Sequence, residues 1–312
     1  VSPQFLADGM IAGATIGLGA VGITLTYSIL RFANFAQGEF ITWGCYTTWL
    51  VAAAAGAWMP WSAQAIGPLS VGVNVIFAAL AAMLLTGVMA IALDAALFRP
   101  LRARGAAESS AAAQRAAISA VIASFGASMA LRALIEAAVP ARQAYLSTEL
   151  QIAIPLVGGM HLTPDQILLL AVAVVLAGAL QIMLTRTSLG RSMRAVSENP
   201  ALARVVGIDV SRVIRVTWFI GAALACAAGV MLGLVVQIRP SMGAELLLPL
   251  FAAALLGGVG SVPGALFGGL VVGVAEAATV QLLGAPWRAA VAFLVVIGVL
   301  LVRPSGIFGR SQ

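Results

Sequence analysis

Between Asp165 and Arg186 no side chain carries a charge, and leucine, valine and alanine fill most positions. A helix rises about 1.5 Å per residue and the hydrocarbon core of a bilayer is about 30 Å thick, so about 20 apolar residues span it. Comparable stretches recur at 9–30, 40–56, 71–97, 116–135, 166–185, 213–236, 247–260, 264–283 and 287–302. Only 9% of the residues are charged, against roughly 25% in soluble domains, so a water-facing surface cannot be assembled. The expected fold is all-α: one transmembrane domain over 1–312, a polytopic helical bundle of eight or nine spans.

The segments at 40–56, 247–260 and 287–302 are short. Short or glycine-interrupted segments predict broken or re-entrant helices, which are tolerated where they line a cavity or are buried in protein. Small residues at helical spacing (Gly13 and Gly17, Gly264 and Gly268, Gly269 and Gly273, and Gly221, Ala225, Gly229 and Gly233) predict close helix packing.

All 17 basic residues are arginine. The absence of lysine excludes a Walker A phosphate loop and a lysine Schiff base on this chain. A pI near 10.6 does not imply nucleic acid here, because the arginines concentrate in loops between spans. Arg99, Arg102, Arg104 and Arg115 share one loop; Arg186, Arg191, Arg194, Arg204, Arg212 and Arg215 crowd another. The loop 136–165 has only Arg142, and 56–70 has none. The positive-inside rule makes the rich loops cytoplasmic, with the N-terminus outside and the C-terminus inside. Trp58 and Trp61 suit the outer interfacial belt. Asp8, with no basic stretch before the first span, argues for a retained span rather than a cleaved signal peptide. Cys45 and Cys226 read as small buried hydrophobes, and the single His161 cannot make a multi-histidine metal site.

Polar residues at membrane depth are costly and are functional candidates. Asn34, Gln37, Gly38 and Glu39 cluster in "RFANFAQGEF", which reads either as a polar turn or as a broken helix facing a pathway. Glu276 lies well inside its span, either held by a neighbour or facing an aqueous cavity. Gly257, Gly258, Gly260 and Ser261 fall in the glycine-rich "AALLGGVGSVPGALFGG", which cannot be an ordinary helix interior. Ser124 and Ser128, four residues apart, share one helical face. No catalytic constellation is present in these motifs.

The stretch "SLGRSMRAVSENPALARVVGIDVSRVIR" interrupts the apolar pattern. It predicts a Gly190 break, a short helix with Arg191 and Arg194, a break at Glu198, Asn199 and Pro200, and a second short helix. Ser197 is expected to cap that second helix. Ala201, Leu202, Val205 and Val206 give it an apolar face and Arg204 a polar one, ahead of Gly207 and Ile208. Such a helix fits either a groove in a cytosolic partner or the membrane surface.

These blocks resemble the H-type permease subunit of the high-affinity branched-chain amino acid ABC transporter family. The segment from Gly190 to Gly233 is similar to that family's most distinctive block. "NFAQGEFITWGCY", "FRPLRARG", "LLGGVGSVPGALFGGLVVGVAEA" and "RPSGIFGR" match further blocks in the same order. The resemblance implies a bacterial inner-membrane importer in which this chain pairs with a second homologous permease. Two cytosolic ATP-binding subunits and a periplasmic substrate-binding protein would complete it, and the permease itself would hold no cofactor. Arg191, Arg194, Glu198, Asn199, Pro200, Ala201, Arg204, Gly207 and Ile208 would form the ATPase-coupling loop. Asn34, Gln37, Gly38, Glu39, Ser124, Gly257, Gly258, Gly260, Ser261 and Glu276 are the candidate pathway residues. The family usually has histidine where this chain has Gln37, which hydrogen-bonds but does not titrate. Family relatives also move urea, short amides and other small polar solutes. The alternative readings are an ion-coupled secondary transporter using Glu39 and Glu276, and a membrane scaffold without a pathway.

Overall fold

A computed structural model describes residues 3–105, 110–139, 144–147, 151–155, 159–303 and 306–309. Arg142, the one arginine of the loop 136–165, lies outside the described residues. Among the described residues twelve α-helices follow one another: α1 Gln4–Leu30, α2 Gln37–Trp58, α3 Val73–Leu93, α4 Arg99–Gly105, α5 Ser110–Ala138 and α6 Pro164–Arg186, then α7 Ser188–Glu198, α8 Pro200–Val205, α9 Val210–Val235, α10 Met242–Gly257, α11 Val262–Leu283 and α12 Arg288–Val302. Each of the nine apolar stretches contains a helix. Seven helices among the described residues are long and apolar enough to cross a membrane, α3 counting together with its continuation through α4 to Ala103 and α12 together with the tight helical turn that leads into it from Ala285. The remaining two stretches are α2 and α10. At 16 residues, α10 is about 24 Å long, short of a bilayer core.

The centre of the bundle is α1, buried along almost its whole length, while α12 is hardly buried at all. A hydrophobic surface of that kind is what lipid covers. The paired small residues explain how α1 fits so tightly. A Cβ placed at Gly13 would lie 2.7 Å from the Cα of Leu270, and one at Gly273 would lie 2.4 Å from the Cα of Gly13. Neither gap admits a side chain, so α1 and α11 pack backbone to backbone. The small face of α9 receives α2 in the same way, with Gly229 against the Ile41 carbonyl.

Between α3 and α4 the helix loosens into a wider turn over Asp94–Phe98. There Asp94 is buried and forms a 2.7 Å ion pair with Arg102. Phe98 stacks between Phe32 (5.3 Å) and Trp218 (5.0 Å). This ties the chain after α1 to α3 and α9. The α10–α11 hairpin turns on Gly258 and Gly260, both at positive φ, a region costly for residues with a Cβ. The predicted break of the glycine block is therefore a tight turn between two packed helices. Cys45 and Cys226 are free and buried.

Candidate functional site

The chain leaves α1 at Arg31, whose left-handed backbone (φ 58) ends the helix as its N–H bonds the Tyr27 carbonyl. Residues 32–36 are not helical, and α2 begins at Gln37. The Asn34 side chain turns the corner by accepting from the Ala36 N–H at 3.1 Å. From α5, the Ser124 hydroxyl accepts the Phe35 N–H at 3.1 Å and donates to the Val121 carbonyl at 2.7 Å. One turn on, Ser128 donates to Glu39 at 3.2 Å. The shared face of Ser124 and Ser128 is thus turned toward the α1–α2 junction.

Asn34, Gln37 and Glu39 are all buried, so this junction is a broken-helix start inside the bundle and not a solvated turn. Gln37 occupies a seat between α1 and α9. Its Nε2 donates to the Gly221 carbonyl at 3.0 Å, and a Cβ at Gly22 would lie 2.2 Å from that nitrogen. Gly38 meets the start of α10: a Cβ on it would lie 2.5 Å from the Gly243 carbonyl oxygen. The Gly243 N–H in turn donates to Thr42 at 3.1 Å. The starts of α2 and α10 therefore lie side by side, presenting the positive ends of their dipoles near one another. Asn34 Nδ2, Gln37 Oε1 and Glu39 Oε2 have no hydrogen-bond partner among the described residues, and a buried polar atom left unpaired costs free energy.

The other candidate pathway residues lie elsewhere. Gly257, Gly258, Gly260 and Ser261 form the α10–α11 turn, where Ser261 caps α11 by accepting from the Gly264 N–H. The Ile307 and Phe308 N–H groups donate to the Leu256 and Gly257 carbonyls, so the end of the described chain plugs this turn. Glu276 sits on α11 near the start of α1 and pairs with Arg288 at 2.7 Å. The sequence candidates thus fall into three separate places. Gly22, Thr42, Gly221 and Gly243, which shape the first of them, were not among the candidates. Gly221 had the helical spacing of small residues as its signal; the others had only the presence of a small or hydroxyl residue in or beside an apolar span.

The segment between α6 and α9 forms two short helices, with two departures from expectation. The chain breaks at Thr187 and not at Gly190. The Thr187 hydroxyl accepts the Gly190 N–H at 3.1 Å, and Gly190 lies inside the first turn of α7, so close to the Leu184 carbonyl that a Cβ would stand 2.2 Å away. The cap of α8 is Asn199 and not Ser197. Asn199 accepts from the Ala201 and Leu202 N–H groups, both at 3.0 Å, whereas Ser197 donates to the Arg194 carbonyl. Pro200 at the first helical position leaves its neighbour Asn199 as the cap.

Gly207 (φ 86) stops α8. The Ile208 N–H reaches back to the Ala203 carbonyl at 3.0 Å, the bond that closes a Schellman end. Met193, Val196, Ala203, Val210 and Val213 pack with Ile29 into a small core of their own. The outer faces of α7 and α8 stay open: Arg191, Arg194 and Arg204 are exposed, as are Leu202 (60%), Val205 (84%) and Val206 (73%). The Arg194 guanidinium also donates to the Leu184 carbonyl.

Residues 5–302 match the family described as branched-chain amino acid transport system / permease component. The chain belongs to that family. The high-affinity branched-chain amino acid transport system permease protein BraD of Pseudomonas aeruginosa is 31% identical over 99% of this chain and 96% of its own length. The LivH permease proteins of Escherichia coli and Salmonella typhimurium are 32% and 31% identical, with the same shares covered. As a member of that family with seven membrane-length apolar helices among its described residues, the chain is a multi-pass permease subunit of an ABC-type importer.

Proposed function

We propose that this chain forms half of a translocation pathway for branched-chain amino acids or a related small polar solute, with a second homologous permease as the other half. Two cytosolic ATP-binding subunits drive it, a periplasmic binding protein delivers the solute, and the chain itself binds no ATP. The assembly sits in the bacterial inner membrane, with α7–α8 and the C-terminus cytoplasmic and the start of α1 outside.

The observation that carries this reading is α8, a helix capped at both ends, seated on its own small core, with Leu202, Val205 and Val206 turned outward beside exposed arginines. An apolar stripe rimmed by cations suits a groove in a partner with acidic edges. ATP-driven closure of the partner pair pulls α8 and switches the permease between inward-facing and outward-facing states. Such a switch needs contacts that differ between the two states, and a docked helix supplies them. Asn34, Gln37, Gly38 and Glu39, with Ser124 behind them, are the part of this chain that meets the solute.

The test is purification of the chain from its native membrane, followed by ATP hydrolysis in the presence of candidate binding proteins. Recovery of a second permease and two ATP-binding subunits, with hydrolysis raised by one loaded binding protein, supports the reading and identifies the solute. Recovery of the chain without an ATP-binding subunit overturns it.

A further inference from the structure

At the end of the bundle opposite α7–α8, the start of α1, the end of α11 and the start of α12 border a half-open cavity of about 370 Å³, lined by Gln4, Phe5, Asp8, Glu276, Val280 and Arg288 among others. That volume is in the range of small-ligand sites. The translocation reading above makes no use of this cavity. Glu276 is 1% exposed. One of its oxygens, Oε2, accepts from Arg288 Nε at 2.7 Å; the other, Oε1, is buried with no hydrogen-bond partner among the described residues. Asp8, held by Gln4 at 3.2 Å, adds a second carboxylate. Arg288 is half open to solvent.

From this geometry we infer that the α1–α11–α12 cavity binds a zwitterion through its primary ammonium, with the anionic end of the ligand on Arg288. Two carboxylates against one guanidinium favour a cationic group. A primary ammonium offers three N–H donors, which suits the Glu276 oxygen left without a donor. A quaternary ammonium carries the same charge and has no N–H to give. The guanidinium fork of Arg288 matches a carboxylate or a phosphate. Two sources present this chemistry: the headgroup of phosphatidylethanolamine, and a free amino acid. The cavity lies beside the exposed Leu282, Leu283 and Trp287, a setting in which an aromatic and aliphatic rim meets a polar boundary.

The full chain, in its assembled transporter, is placed in nanodiscs of phosphatidylcholine mixed equally with phosphatidylethanolamine, and retained lipid is read by native mass spectrometry. In phosphatidylcholine alone, L-leucine is titrated calorimetrically with phosphoethanolamine and phosphocholine as competitors. Preferential retention of phosphatidylethanolamine assigns the site to lipid. Leucine binding displaced by phosphoethanolamine but not by phosphocholine assigns it to a free amino acid. In either arm Glu276→Gln weakens binding about tenfold or more, as for loss of a charge-assisted hydrogen bond. If that variant fails to assemble, Asp8→Asn and the wild-type preference for primary over quaternary ammonium carry the test. Equal retention of the two lipids, together with no leucine binding that phosphoethanolamine displaces, overturns the inference.

Discussion

The Arg31 guanidinium donates to the backbone carbonyl of Ser197, joining the residue that ends α1 to the last turn of α7. Three residues beyond Arg31 lies Asn34, and three beyond Ser197 lies Pro200, the first residue of α8. The contact therefore bridges the helix proposed to meet the ATPase and the junction proposed to meet the solute. Phe32 adds a second tie, through Phe98 to Trp218 on α9. A displacement of α7–α8 has a short covalent and hydrogen-bonded route to residues 32–39.

Filling the contact between the starts of α2 and α10 destabilises the bundle. A Cβ on Gly243 would lie 2.0 Å from the Gly38 carbonyl oxygen, and overpacking a core costs about 1–3 kcal/mol. Gly243→Ala is expected to lower the thermal midpoint in detergent. Gly178→Ala, where no atom lies within 4 Å, is expected to leave it unchanged or raise it, since alanine favours a helix interior by about 1 kcal/mol.

Placing a charge on the outer face of α8 breaks docking without harming the fold. Val205 is already 84% exposed, so Val205→Glu is expected to keep its normal abundance in the membrane. Desolvating the new carboxylate in a partner groove forfeits the apolar contact, worth about 1.5–3 kcal/mol for one valine-sized side chain. Recovery of ATP-binding subunits in pull-downs is expected to fall about tenfold or more. Undiminished recovery would place this face elsewhere, for instance on lipid.

The Asp94–Arg102 pair stabilises the loosened turn between α3 and α4. With Asp94 buried and Arg102 partly open to solvent, removing the acid alone costs about 1–3 kcal/mol, less than for a fully buried pair. Asp94→Leu is expected to lower the unfolding midpoint more than Asp94→Leu with Arg102→Leu together. A double variant worse than the single one would show that the charges act separately.

The sequence discloses most of the architecture because membrane composition leaves few choices. Nine apolar stretches become nine helices, and the Gly13/Gly17 and Gly269/Gly273 pairs find each other across one seam. Caps are harder to place, since serine, threonine and asparagine compete at adjacent positions. Pro200 marks Asn199 as the cap of α8, and that signal outweighs Ser197. Long-range pairs have no local signature. Nothing near Arg31 points to Ser197, and nothing near Glu276 points to Arg288 twelve residues on. Likewise, the grouping of Gln37 with Gly22 and Gly221 depends on how three helices cross.

The most direct test of the coupling route is the number of solute molecules taken up per ATP hydrolysed in proteoliposomes bearing Arg31→Ala. Removing a charged hydrogen-bond donor forfeits about 1.5–3 kcal/mol of the link. The expected result is normal subunit recovery and continued hydrolysis, with uptake per ATP about tenfold lower than in the wild type. Uptake per ATP equal to the wild-type value, at equal subunit recovery, would contradict transmission from α7–α8 through Arg31 to the α1–α2 junction.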